Sequence, residues 1–166
     1  FKGSIVIPWG DGAKVMVGSW FTSKVYLIDK PDNVDTLLSY EVADFISFDQ
    51  DPSSLLRLNG AGWGDVDGDQ NPDMFFGTRG GTSQPNAMIF RLEYIGGPAG
   101  DWSLPQNYVA SVVDSAILPA GGDYDVVYVA NVDGDPESEV LYTQGYSRAN
   151  PTDEPVPIVI LDYQFT

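Results

Sequence analysis

Apolar residues along this chain come in short runs, dense in β-branched and aromatic side chains, with Gly, Pro, Asn and Asp between them. The runs Ser4–Trp9, Ala13–Gly18, Lys24–Asp29, Met74–Thr78, Ala87–Glu93, Val140–Thr143 and Pro157–Tyr163 all have this form. Short runs bounded by turn formers predict β-strands. Between Val34 and Phe48 the residues Tyr40, Val42, Phe45, Ile46 and Phe48 suit a strand as well as a turn of helix. Helical periodicity is weak elsewhere, and 18 Gly and 12 Pro among short apolar runs predict an all-β chain. The links Thr78 to Asn86, Gly96 to Asn107 and Gly145 to Pro155 carry Gly, Pro, Ser and Asn and are expected to be surface loops.

The strand pattern repeats. Aligning Asp67 with Asp133 gives a period of 133 − 67 = 66 residues. Gly62-Trp63-Gly64 then matches Tyr128-Val129-Ala130, Met74 to Thr78 matches Val140 to Thr143, and Ala87 to Glu93 matches Pro157 to Tyr163. Upstream, Tyr40 to Ala43 matches Tyr108 to Ser111. A fixed period of tens of residues signals a repeat architecture, here of about four strands per unit. A worn third copy lies at the N-terminus, where Gly10-Asp11-Gly12 forms a tight hairpin turn between two strands. The expected units are 1–57, without a metal loop, 58–122 and 123–166.

At the repeat's centre stand two acidic segments, Asp65-Val66-Asp67-Gly68-Asp69-Gln70-Asn71-Pro72-Asp73 and Asn131-Val132-Asp133-Gly134-Asp135-Pro136-Glu137-Ser138-Glu139. Oxygen donors at alternate positions, followed by one further carboxylate, are what a hard cation of calcium's size requires from one short turn. The expected side-chain ligands are Asp65, Asp67, Asp69 and Asp73 in the first loop, and Asn131, Asp133, Asp135 and Glu139 in the second. The backbone carbonyls of Asn71 and Glu137 are expected to join them. Gly68 and Gly134 stand where the chain must reverse with φ above zero. An EF-hand has its glycine at position 6 and a bidentate Glu at position 12, where this chain has Phe76 and Tyr142. Plain solvated Asp-Gly turns are the simpler alternative. Four carboxylates within nine residues repel one another without a cation, and the pattern occurs twice at matching offsets.

On Trp63-Gly64-Asp65-Val66-Asp67-Gly68-Asp69 leading into Asp73-Met74-Phe75-Phe76-Gly77, and on Val129 to Asp135 leading into Glu139 to Tyr142, the chain resembles the FG-GAP and VCBS repeat family. These are calcium-loop β-propeller blades of integrin α-subunit heads and of many secreted microbial proteins. The resemblance implies that each loop joins the first and second strands of a blade and holds one calcium ion there. Glu139 departs from the family's usual Asp, and 66 residues exceed the usual blade length. Three blades cannot close a ring that takes about four to eight. The chain is thus expected to be completed by further blades, from its own copies, a partner chain or further sequence.

Composition narrows the function. With 24 acidic against 8 basic residues the formal charge is −16, which makes nucleic acid and anionic membranes poor partners. Two calcium ions would bring this to about −12. No cysteine is present, which removes disulfides and thiol nucleophiles, and no histidine, which removes the usual general base and zinc ligand. No run of 18 apolar residues predicts membrane insertion. Loops of this kind work where calcium is millimolar, so a secreted, extracellular protein is expected. Phe1 in place of a methionine is expected of a processed or excerpted N-terminus.

The function that follows is a non-enzymatic adhesion, recognition or structural scaffold with a protein or glycan ligand. Trp9, Trp20, Phe21, Trp63, Trp102 and Tyr146 offer faces for sugar stacking, which makes a lectin one alternative, although such residues are more often core. An extracellular fibre built through open sheet edges is a second. A part of a polysaccharide-degrading enzyme is a third, with Asp44 and Asp49 or Asp123 and Asp125 as paired carboxylates. Arg79-Gly80-Gly81 is not an Arg-Gly-Asp tripeptide and supports no integrin recognition.

Overall fold

A computed structural model describes residues 3–9, 12–20, 22–29, 37–44, 57–79, 86–117, 123–145 and 158–162. Eleven strands run through them: β1 (Ser4–Trp9), β2 (Gly12–Gly18), β3 (Lys24–Asp29), β4 (Leu38–Asp44), β5 (Arg57–Gly64), β6 (Asp73–Arg79), β7 (Asn86–Tyr94), β8 (Tyr108–Ile117), β9 (Asp123–Ala130), β10 (Glu139–Gly145) and β11 (Ile158–Leu161). The expected all-β architecture is present, and within the described part of 34–48, residues 37–44, strand β4 takes Leu38–Asp44. Among the described residues one 3-10 turn, Pro105–Asn107, leads into β8. Phe45 to Phe48, Phe21, Asp49, Tyr146, and the Gly10-Asp11 turn lie outside the described residues.

Every pairing is antiparallel, and the strands form three meanders of four, four and three strands. The first is β1-β2-β3-β4, the second β5-β6-β7-β8 and the third β9-β10-β11. One bridge, Arg79 to Asp123, links the second meander to the third, and no sheet closes on itself among the described residues. Among the described residues the third meander has three strands, and 146–157 and 163–166 of its expected four-strand unit lie outside them. In the sheet register Phe75 faces Arg91 and Leu141 faces Ile160, so Arg91 corresponds to Ile160, one residue away from the sequence alignment.

The alternation of side chains across each strand gives every meander two faces, and the meanders stack face to face. Between the first and second lie Ile5, Met16 and Leu27 against Met74, Phe76 and Leu92. Between the second and third lie Val66, Phe75 and Ile89 against Val140, Tyr142 and Tyr124. A fully buried aromatic such as Phe75 contributes about 2–3 kcal/mol through removal from water. Strands β1, β5 and β9, each the first of its meander, lie side by side. Glycine makes this closeness possible: a Cβ on Gly62 would come within 3.0 Å of the Val127 carbonyl oxygen, and one on Gly77 within 2.6 Å of that of Tyr124.

Two further contacts tie the stack. Trp102 stacks on Tyr94 at 4.2 Å between ring centroids, meets Trp9 edge-on at 6.0 Å, and accepts at its carbonyl a 2.6 Å bond from the Tyr108 hydroxyl. Trp102 and Trp63 therefore belong to the core and its border, not to an exposed platform. At the other seam the hydroxyls of Tyr124, at 3.3 Å, and Tyr142 both donate to Asp114 Oδ2 on β8.

Candidate metal centres

The first acidic loop connects β5 to β6, and the second connects β9 to β10. Both are first-to-second-strand links of their meanders. Each loop is pinned by the same bond: the Val66 N–H donates to Asp73 Oδ2 at 3.1 Å, and the Val132 N–H to Glu139 Oε2 at 2.6 Å. Successive side-chain turns then tie the alternate carboxylates to the loop backbone. Asp67 Oδ1 accepts from the Asp69 N–H at 3.3 Å, and Asp69 Oδ1 from the Asn71 N–H at 2.7 Å. In the second loop Asp133 Oδ1 accepts from Asp135 and Asp135 Oδ1 from Glu137, both at 3.2 Å. Gly68 and Gly134 take φ of +71° and +92°, the left-handed region their position requires.

The structure brings Asp65, Asp67 and Asp73 together in the first loop, with one oxygen from each within 4.8 Å of the others. Asp133, Asp135 and Glu139 converge likewise in the second. Asp69 joins a neighbouring group with Asp67 and Glu93, and its Oδ2 also accepts from the Asn71 amide at 2.8 Å. Asn131 turns inward on its own loop: its Oδ1 accepts from the Gly134 N–H at 2.8 Å, and its amide donates to the Asp135 carbonyl. Position 7, Asn71 and Glu137, enters both loops as a backbone N–H donor.

Two oxygens in these clusters are buried without a hydrogen-bonding partner, Asp65 Oδ1 and Glu139 Oε1. Glu139 is 1% exposed. A buried carboxylate oxygen without a donor carries a desolvation cost that a cation, a proton or a bound water relieves, and of these the cation also offsets the repulsion of three converging carboxylates. Hard oxygen donors with an uncompensated buried lone pair fit a calcium-type ion.

The sequence reading missed Arg91. From β7 its Nε donates to Asp73 Oδ1 at 2.8 Å, and its terminal nitrogen reaches both Asp67 and Asp73. Glu93 lies 3.7 Å from the same guanidinium. A charged pair at a spacing of two in the otherwise apolar run Ala87–Tyr94 was the available signal, since both then point to one face. Burial pushes the Asp73 carboxyl up to about 6, aided by the charge of Asp67 and opposed by the Val66 N–H and Arg91. Asp135 is raised by desolvation and then by Asp133, Glu137 and Glu139.

Other proposed chemistry finds less support. The side chains of Asp44, Asp123 and Asp125 lie outside the described residues. Trp20 lies under the guanidinium groups of Arg57 and Arg79, at 5.5 and 5.8 Å from its ring centre. Trp9 does border an open groove of about 490 Å³ beside the first loop, with Asp69, Gln70, Asn71, Gly97 and Pro98. No helix among the described residues is long and apolar enough to cross a membrane. No protein-family model, curated protein or solved structure matches the chain.

Proposed function

We propose that the chain is a calcium-stabilised β-propeller segment that acts outside the cell as a non-catalytic recognition or adhesion scaffold. The observation that carries this reading is Glu139, 1% exposed, with Oε1 unpaired, and one of three converging carboxylates. The repetition of the loop at the same link of two stacked meanders supports it, as does the side-by-side placement of β1, β5 and β9. Each ion would tie the start of one strand to the end of another and so hold a meander's inner hairpin. With dissociation constants on the order of 10⁻⁴ M and calcium about tenfold higher, each site adds roughly 1.4 kcal/mol to folding. Thermal melting across a calcium titration tests this: the midpoint rises with calcium and returns with EDTA. A midpoint that ignores both sinks the reading.

The groove between Trp9 and the first loop favours a second reading, a lectin. An indole border beside Asp69 and Asn71 offers a stacking face next to polar groups suited to a neutral sugar ring. A glycan array in calcium, repeated with Trp9→Ala, distinguishes this from a purely structural scaffold.

A further inference from the structure

The three meanders stack by one rule, and the rule does not stop at the third. The second meander packs onto the third through a face that carries Val66, Phe75 and Ile89, all fully buried. Loop position and sheet register carry that face forward onto Val132, Leu141 and Ile158, with Ile160 in the place of Arg91. There the exposure is 49% for Val132, 69% for Ile158 and 54% for Ile160, and Leu141 is half-buried. Tyr128 stands 64% exposed in the place of Gly62 and borders a cleft of about 190 Å³ with Leu141, Thr143 and Ile158. The docking face is thus repeated, apolar and uncovered. An exposed aromatic at the centre of such a face is the usual anchor of an interface.

The complementary face lies at the other end of the same chain. The first meander's outward side holds Val6, Val15 and Ile28 in one register row and Val17 beside Tyr26 in the next, with Val6 58% exposed. We infer that the outward face of the third meander docks on the outward face of the first meander of a second copy, and reciprocally. A two-fold axis makes each contact twice, so neither apolar face is left to start an open filament. Tyr128 in place of a glycine means that the partner receives a side chain, not a closely approaching backbone. This inference rests on the stacked meanders of the proposed propeller, and not on calcium.

Sedimentation equilibrium of the whole chain tests it. A dimer is expected, weakened by at least about tenfold by Tyr128→Lys or by Ile158→Asp, both at exposed positions. Because the chain has no cysteine, Val6→Cys and Ile158→Cys report the pairing directly with a short bis-maleimide. The mixture is expected to cross-link, and neither variant alone. A monomer at high micromolar concentration overturns the inference. So does a dimer that gives no mixed cross-link, or one in which Ile158→Cys links to itself. Calcium titration of the same samples separates the two readings: a monomer that binds two ions sinks the dimer alone, and a dimer that binds none sinks the calcium sites alone.

Discussion

The two acidic loops share a pattern, a pinning bond and a place in the topology, yet they answer the same electrostatic problem differently. In the first, Arg91 lies against Asp67 and Asp73, so a permanent cation already sits beside the oxygens. In the second, Ile160 stands in that place, while each loop keeps one unpaired buried oxygen, Asp65 Oδ1 in the first and Glu139 Oε1 in the second. Position 6 differs too: Gln70 takes φ of +68°, which Pro136 cannot adopt. The lesson is that a repeated ligand pattern does not imply repeated affinity. An ion entering the first loop must share oxygens with a guanidinium or displace it. One entering the second meets no such rival.

The largest effect is expected from removing the rival. Arg91→Leu leaves the buried Asp73 without its partner and should destabilise the calcium-free protein by about 3 kcal/mol, by the cost of breaking a buried pair. Millimolar calcium should recover most of that loss, as read by denaturant unfolding with and without EDTA. Equal losses in both conditions would show that Arg91 is structural only.

Next comes Glu139→Gln, which keeps the bond from Val132 and removes the charge. Calorimetry should then find one calcium site in place of two, and the calcium-dependent stability should fall by roughly 1.4 kcal/mol. Without calcium this variant should be no less stable than the parent, because the orphaned carboxylate is gone.

Acidity separates the loops a further way. Asp73 has a folded pKa of about 6, above the ordinary 3.8, so the calcium-free fold binds more protons there than the unfolded chain does. This group's contribution is therefore most favourable below about pH 4 and is lost as pH rises through about 6. Calcium demands the ionised form, so first-loop affinity should fall about tenfold between pH 7 and pH 5, with proton release on binding. Calorimetry in buffers of different ionisation enthalpy measures that release. The smallest effect is expected from Ile160→Arg, which places the first loop's cation at the second. Second-loop affinity should drop a few-fold, by about 1 kcal/mol, and an unchanged isotherm would mean that Arg91 owes its influence to its surroundings.

Much of this was legible in the chain before its fold. The strand runs, the period of 66 and the convergence of three acids in each loop follow from residue spacing. Arg91 was not legible as a competitor, because its reach depends on the register between β6 and β7, which places it opposite Phe75. Sequence alignment put it one position away. Trp102 was ambiguous for a related reason: an indole reads alike in a core and on a platform until Tyr94, Trp9 and Tyr108 are found around it.

Apolar sheets laid against each other are held by close-packed contacts that carry little direction of their own. Asp114 changes that at one seam, since a displacement of a single residue would strand the hydroxyls of both Tyr124 and Tyr142 away from their common acceptor. The carboxylate therefore works as a notch that indexes one layer against its neighbour, and the layers on either side inherit their alignment from it.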